Sequence, residues 1–134
     1  MISWNPHLTF DGTCRAAFEL YARALGAKPA YFFTYGESPM AATTPAEHHG
    51  RILHTTLTLG ERTLTGADVL PEQYEKPRGF SVLLQLPTAK DADRIFAALA
   101  EGGVIQLALA ETFWAPRFGM LTDRFGIPWM LQSK

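Results

Sequence analysis

The sequence predicts an α+β protein in which two βαβββ modules follow one another along 134 residues. In each half a short strand precedes an amphipathic helix, and a second strand and a two-stranded hairpin complete the half. Shifting the second half back by 75 residues superimposes the two helices, with Ala92 on Ala17, Ile95 on Leu20 and Phe96 on Tyr21. This order implies mixed sheets with a helix on one face. Because one half has too small a core alone, we expect a single domain, 1–134, with modules at about 1–70 and 78–134.

The strands of the first module follow from alternation and from turn residues. In "PHLTF", Leu8 and Phe10 share one face, and His7 lies on the other. Strands are also expected in the aromatic segment 28–36 and in "RILHTTLTLG", which turns into "RTLTGADV" as a hairpin. Residues 37–50 are polar and contain two prolines, so they are expected to form a long loop.

The first helix is predicted over residues 14–25. Its apolar stripe has spacings of four, three and four residues and consists of Cys14, Phe18, Tyr21 and Leu25. Thr13 or Asp11 is expected to cap its start, and Gly26 stands where a helix ends. Cys14 lies near the helix start, where the dipole favours a thiolate, but its place on the stripe favours a buried, inert thiol.

The second module follows a linker at residues 70–79. "FSVLLQL" reads as a strand that is apolar on both faces, which suggests burial on both sides. A helix over 91–103, with Ala92, Phe96 and Leu99 buried, and a strand over 104–110 come next. "RFGMLT" and "IPWMLQ" form the closing hairpin, in whose turn Asp123 is expected to cap and Gly126 to supply a positive φ.

Composition excludes several classes of function. The net charge is −1 and the twelve basic residues are scattered, so there is no electrostatic footprint for nucleic acid and no basic membrane patch. The apolar runs are too short to span a bilayer, and "MISWNPHLTF" lacks the pattern of a signal peptide. The lone Cys14 cannot form an intrachain disulfide. We therefore expect a soluble, cytoplasmic protein.

Three segments carry a resemblance to a known family: "PHLTFDGTCRAAFELYARALGA", "TYGESPM" and "ETFWAPRFGMLTDRFGIPWM". Together with the two βαβββ halves, they resemble the PhnB-like branch of the vicinal oxygen chelate superfamily, which includes glyoxalase I, extradiol dioxygenases and bleomycin-binding proteins. The resemblance covers nearly the whole chain. It implies two cupped mixed sheets and a homodimer.

The resemblance also implies a divalent metal that acts as a Lewis acid, and the sequence supplies few of its ligands. His7 on the first strand lies close to one ligand position, whereas "FSV" at 80–82 offers no imidazole to match it. The nearest carboxylate on the last strand of the first module is Asp68. Met130 stands where the last strand should carry a glutamate, and Gln132 is a weak substitute. We therefore expect no bound metal and no other cofactor.

Two functions of different classes remain open. A binding module would hold a small molecule against the cupped sheet, and its candidate pocket residues are His7, Tyr35, Glu111, Trp114 and Arg117. A metal-dependent lyase, isomerase or transferase of the glyoxalase type would need other ligands, such as His7 with His54, Asp68 or Glu111. Methyl transfer of the ubiquinone type has no support, because no glycine-rich turn joins a strand to a helix.

Several candidates have a structural alternative. Arg117 beside Glu111 could anchor an anion, or the two could form a surface ion pair. Trp114 and Trp129 are expected in the core more often than in a binding site. His54 is expected to be hydrogen-bonded within the sheet, and the adjacent His48 and His49 to be solvated.

Overall fold

The structure is a computed structural model that describes residues 1–28 and 31–134. It has the predicted α+β architecture, with two four-stranded mixed sheets and one helix in each half. The chain divides into two compact units, Met1–Glu75 and Lys76–Lys134. The strands and helices, in chain order, are β1 His7–Phe10, α1 Cys14–Leu25, β2 Tyr31–Thr34, β3 Ile52–Leu59, β4 Arg62–Asp68, β5 Val82–Leu86, α2 Ala89–Ala100, β6 Val104–Ala110, β7 Phe118–Thr122 and β8 Pro128–Ser133.

In the first unit the strand order is β1-β4-β3-β2, with β1 parallel to β4 and the other pairs antiparallel. Helix α1 covers one face, and its predicted stripe is buried apart from Leu25, which is half-buried. Phe18 packs edge-on against Phe10, with ring centroids 6.1 Å apart. Any side chain at Gly66 would collide with the Phe18 ring, so this glycine permits the helix to lie close to β4.

The start of α1 is capped by a residue distant in sequence, and the predicted caps are wrong. Thr13 makes no side-chain capping bond, and Asp11 pairs with Arg51 instead. Asp68, at the end of β4, is 1% exposed, and its Oδ1 accepts the backbone N–H groups of Gly12 and Cys14 at 2.8 and 3.1 Å. Its carboxylate therefore accepts hydrogen bonds from backbone N–H groups at the helix start, as the side chain of a local capping residue usually does.

The segment between β2 and β3 is more ordered than a polar loop. It contains three 3₁₀ turns, at Tyr35–Glu37, Pro39–Thr43 and Ala46–His48. The strand predicted over 28–36 ends at Thr34, because Thr34 and Glu37 form a capping box; Pro29 and Ala30 lie outside the described residues.

The expectation that both loop histidines are solvated is wrong. Nε2 of His49 lies 3.1 and 2.9 Å from the carbonyl oxygens of Ala41 and Thr44, so this ring holds the loop together. The side chain of His48 is 20% exposed, and its Nδ1 accepts a hydrogen bond from Arg51.

The second unit repeats the arrangement with the strand order β5-β8-β7-β6. Helix α2 buries the predicted residues and also Ile95. It begins two residues earlier than predicted because Thr88 accepts the backbone N–H of Asp91. The linker region contains one 3₁₀ turn, Pro71–Gln73.

The closing turn is confirmed in detail. Oδ1 of Asp123 accepts the backbone N–H groups of Phe125 and Ile127 at 2.8 and 3.0 Å, and Gly126 has a φ of 91°. Trp129 is 1% exposed and donates its indole N–H to Oδ2 of Asp123 at 2.8 Å. This tryptophan is thus a core residue, as its residue type suggests.

Candidate functional site

The first sheet has one face against α1 and one face that carries no helix of its own unit. Strand alternation and the pairing register place ten residues on this second surface, which we call the open face: His7, Thr9, Tyr31, Phe33, His54, Thr56, Thr58, Thr63, Thr65 and Ala67. Not one of these ten is Lys, Arg, Asp or Glu. The open face thus combines imidazoles, hydroxyl groups and aromatic rings without a permanent charge.

His7 lies in a row of paired residues that crosses the open face. Its register partner is Thr65, which in turn pairs with Thr56, and Thr56 pairs with Tyr31. Nδ1 of His7 lies 2.7 Å from Oγ1 of Thr65, so the threonine fixes the imidazole ring. Tyr31, at the other end of the row, is 70% exposed.

His54 is the second imidazole of the open face. Its Nε2 lies 3.0 Å from Oγ1 of Thr56, as expected for a histidine hydrogen-bonded within the sheet. The pKa of His7 is lowered, first by its burial and then by the charge of nearby His54. A positive charge on one imidazole therefore opposes a positive charge on the other.

The metal implied by the superfamily does not fit the residues present. Met130 pairs with Leu83 rather than with a potential ligand, and His7 is engaged with Thr65. Asp68 directs both carboxylate oxygens to backbone N–H groups, including Ile52 at 2.9 Å. Within residues 1–28 and 31–134, no group of three His, Cys, Asp or Glu side chains could hold a metal ion.

Tyr35 does not share the surroundings of His7. Its side chain is 8% exposed, and its hydroxyl donates to the carbonyl oxygen of Asp68 at 2.8 Å. Burial, followed by the nearby Asp68 carboxylate, raises the pKa of Tyr35. Alternation alone would place Tyr35 beside Tyr31 and Phe33, but the register shifts after Phe33 and the chain enters a 3₁₀ turn. Tyr35 therefore lies apart from the open face.

The other three candidates belong to the second unit. Trp114 is 51% exposed and packs edge-on against Phe113 and Phe118. Arg117 donates from Nε to Oδ1 of Asp93 on α2 at 2.9 Å, which makes it part of a partly exposed ion pair. Its partner is thus Asp93 and not the predicted Glu111, which is exposed.

Sequence reasoning overlooked the threonines that hold the two imidazoles. The signal was available, because Thr56 and Thr58 on β3, and Thr63 and Thr65 on β4, alternate with residues that face α1. A hairpin turn between the two strands brings both pairs to the same face.

The second sheet also has a face opposite its helix, and an apolar row crosses it between the polar residues Gln85, Gln132 and Thr122. One row of paired residues crosses all four strands there and consists of Leu83, Met130, Met120 and Leu107. Leu83 and Leu107 are 48% and 45% exposed. The two sheets therefore have the same topology but different surface chemistry.

Residues 3–132 match the family model described as 3-demethylubiquinone-9 3-methyltransferase. The chain therefore belongs to this family. A relative, protein YjdN of Escherichia coli K12, is 34% identical over 135 residues, which are 95% of this chain and 92% of that protein.

Solved structures also match the chain over its whole length. The PhnB-like chain matches protein PA1353 of Pseudomonas aeruginosa with a TM-score of 0.90 and 39% identity, over 100% of this chain and 98% of that one. It matches the PhnB protein of Bacillus cereus with a TM-score of 0.79 and 20% identity, over 99% and 100% of the two chains.

A glyoxalase/bleomycin resistance protein of Albidiferax ferrireducens has a TM-score of 0.63 at 13% identity, over 98% of this chain and 99% of that one. This likeness concerns the fold alone, and it agrees with the fold that the resemblance implies. Among the described residues, no helix is long and apolar enough to cross a membrane.

Proposed function

We propose that this PhnB-like protein binds a small molecule on the open face of its first sheet. The observation that carries the proposal is the composition of that face, where two hydrogen-bonded imidazoles lie among threonine hydroxyls and beside the exposed ring of Tyr31. Binding sites commonly combine apolar contact surface with a few fixed polar groups. Both kinds of group are present, and the sheet backbone fixes their spacing.

Binding is favoured over methyl transfer, the activity in the family model's description. A nucleotide-like cofactor would need free backbone N–H groups where a strand enters a helix. At the junction before α1, Asp68 accepts the N–H groups of Gly12 and Cys14. At the junction before α2, Thr88 accepts the N–H of Asp91. Side chains of the protein thus occupy donors that such a cofactor would use.

A screen by thermal unfolding tests the proposal, because a ligand that binds only the folded state raises the Tm. Small molecules that stabilise the wild-type chain are measured again with His7→Ala and Tyr31→Ala. The matched aromatic control is Phe113→Ala, which removes a ring that is 97% exposed in the second unit. We expect stabilisation to be lost in the first two variants and kept in the control. Loss in Trp114→Ala with full retention in Tyr31→Ala would move the site to the second unit.

We also propose that the protein is a homodimer and that a second copy covers the apolar row of the second sheet. Contiguous exposed apolar surface marks interaction sites, and Leu107 lies in that row at 45% exposure. The test is sedimentation at micromolar concentration with Leu107→Lys. Leu59→Lys is the matched control, because Leu59 is 44% exposed on the first unit. We expect only Leu107→Lys to dissociate the dimer; a monomeric wild-type protein would contradict the proposal.

The cytoplasmic location of the protein also stays a prediction.

A further inference from the structure

The open face has three titratable side chains, His7, His54 and Tyr31, and no permanently charged one. A dianion such as a phosphate group is usually bound by Arg, Lys or a helix terminus. His7 does not replace these groups near neutral pH, because partial burial of its ring and the charge of nearby His54 lower its pKa. The face is therefore suited to neutral hydrogen-bonding partners.

The contacts of Thr65 define which nitrogen of His7 carries the hydrogen. The Thr65 hydroxyl donates to the carbonyl oxygen of Pro6 at 3.3 Å. A threonine hydroxyl has one hydrogen to donate, so the contacts with Pro6 and with Nδ1 of His7, 2.7 Å away, are both hydrogen bonds only when the hydroxyl accepts from Nδ1. Nδ1 of the neutral ring then holds the hydrogen, and Nε2 presents a lone pair.

Resting on the proposed function, we infer that the ligand of the open face is uncharged and carries a hydroxyl group whose hydrogen is accepted by Nε2 of His7. Thr65 is a positioning residue, since it acts on the ligand by selecting the tautomer of His7. The exposed ring of Tyr31, at the far end of the same row, offers a surface against which an apolar part of the ligand packs.

Three small monosubstituted benzenes separate the chemical classes: phenol carries the hydroxyl donor, anisole lacks it, and benzoate is an anion. Each is titrated into the full-length, ¹⁵N-labelled protein, and the backbone signals and the imidazole nitrogens of His7 are followed by NMR. We expect phenol to bind more tightly than anisole or benzoate. We also expect it to change the chemical shift of Nε2 of His7 more than that of Nδ1. In the free protein the Nδ1–H tautomer should predominate.

The variant Thr65→Val has no hydroxyl to fix the tautomer of His7. It should weaken phenol binding by about threefold to tenfold, the range for one lost hydrogen bond. Anisole binding should be unchanged. The control is Thr122→Val, another strand threonine whose hydroxyl contacts a side chain, Gln106, at 2.9 Å. Tighter binding of benzoate, or phenol binding that is insensitive to His7→Ala, would overturn the inference while leaving the open face as a site. If none of the probes shifts the open face, the inference fails, and the proposed function is decided separately by the thermal screen.

Discussion

The carboxylate of Asp68 accepts the backbone N–H of Cys14 at 3.1 Å and so joins the end of β4 to the start of α1. The same carboxylate accepts the N–H groups of Gly12 and Ile52. The Asp68→Ala variant leaves three donors without this acceptor. Because each buried donor left unsatisfied costs about 1–3 kcal/mol, we expect the free energy of unfolding to fall by about 3 kcal/mol or more, measured by urea denaturation.

The control for this variant is Asp11→Ala, which removes the partly exposed ion pair with Arg51. Exposed pairs contribute at most about 1 kcal/mol, so the control should lose far less stability. Equal losses in the two variants would show that Asp68 does not hold the helix start.

Substitution of Trp129 should lower the free energy of unfolding, whereas substitution of Trp114 should change it little. Trp129→Phe removes the indole donor from the buried Asp123 carboxylate and should cost about 1–3 kcal/mol. Trp114→Phe keeps an aromatic ring at a site that is 51% exposed and should change the free energy of unfolding little. Urea denaturation of both variants checks this order, and a larger loss in Trp114→Phe would contradict it.

His7 should make stability depend on pH in a defined direction. Burial and His54 lower its pKa from the ordinary value of 6.5, so the folded state binds the proton less tightly than the unfolded chain. The contribution of His7 to stability is therefore fully present above pH 6.5. It is lost as the pH falls through the pKa that His7 has in the folded state. We expect His7→Gln to lose less stability than the wild type between about pH 7.5 and pH 5.

NMR titration measures the same property directly. The pKa of His7 should lie below 6.5 and rise only in part in His54→Gln, because burial is the larger cause. A wild-type pKa of His7 above 6.5 would contradict the described environment of the ring.

Protein purified without a histidine tag should contain no stoichiometric metal. A catalytic zinc site uses about three protein ligands, and His7 is the one residue at a matching position. Elemental analysis should find the same low metal content in the wild type and in His7→Ala. Close to one zinc, nickel or manganese per chain that is lost in His7→Ala would favour the metal-dependent alternative.

Much of the fold could be predicted because its signals are local. The period of α1, the Asp123–Gly126 turn and the alternation of β3 and β4 each depend on residues close in sequence. The cap of α1 could not be predicted in this way, since Asp68 reaches Gly12 only after β4 pairs with β1.

The candidate site was predicted less completely than the fold. His7 was identified from its position on the first strand, and it does lie on the open face. Tyr35 follows the same alternation as Tyr31 but is redirected by a register shift, which depends on hydrogen bonds between strands. The partner of Arg117 is Asp93, twenty-four residues away, and no spacing in the sequence indicates that contact.

The most direct test of the central claim is to map ligand-induced chemical shifts on the ¹⁵N-labelled wild-type chain, with any compound that raises its Tm. The account predicts that the shifted residues cluster at the outward positions of β1, β3 and β4, around His7, Thr65 and His54. It also predicts that the shifts disappear in His7→Ala, while the signals of the second unit keep their positions. Shifts confined to residues around Trp114 and Phe118, unchanged by His7→Ala, would contradict it.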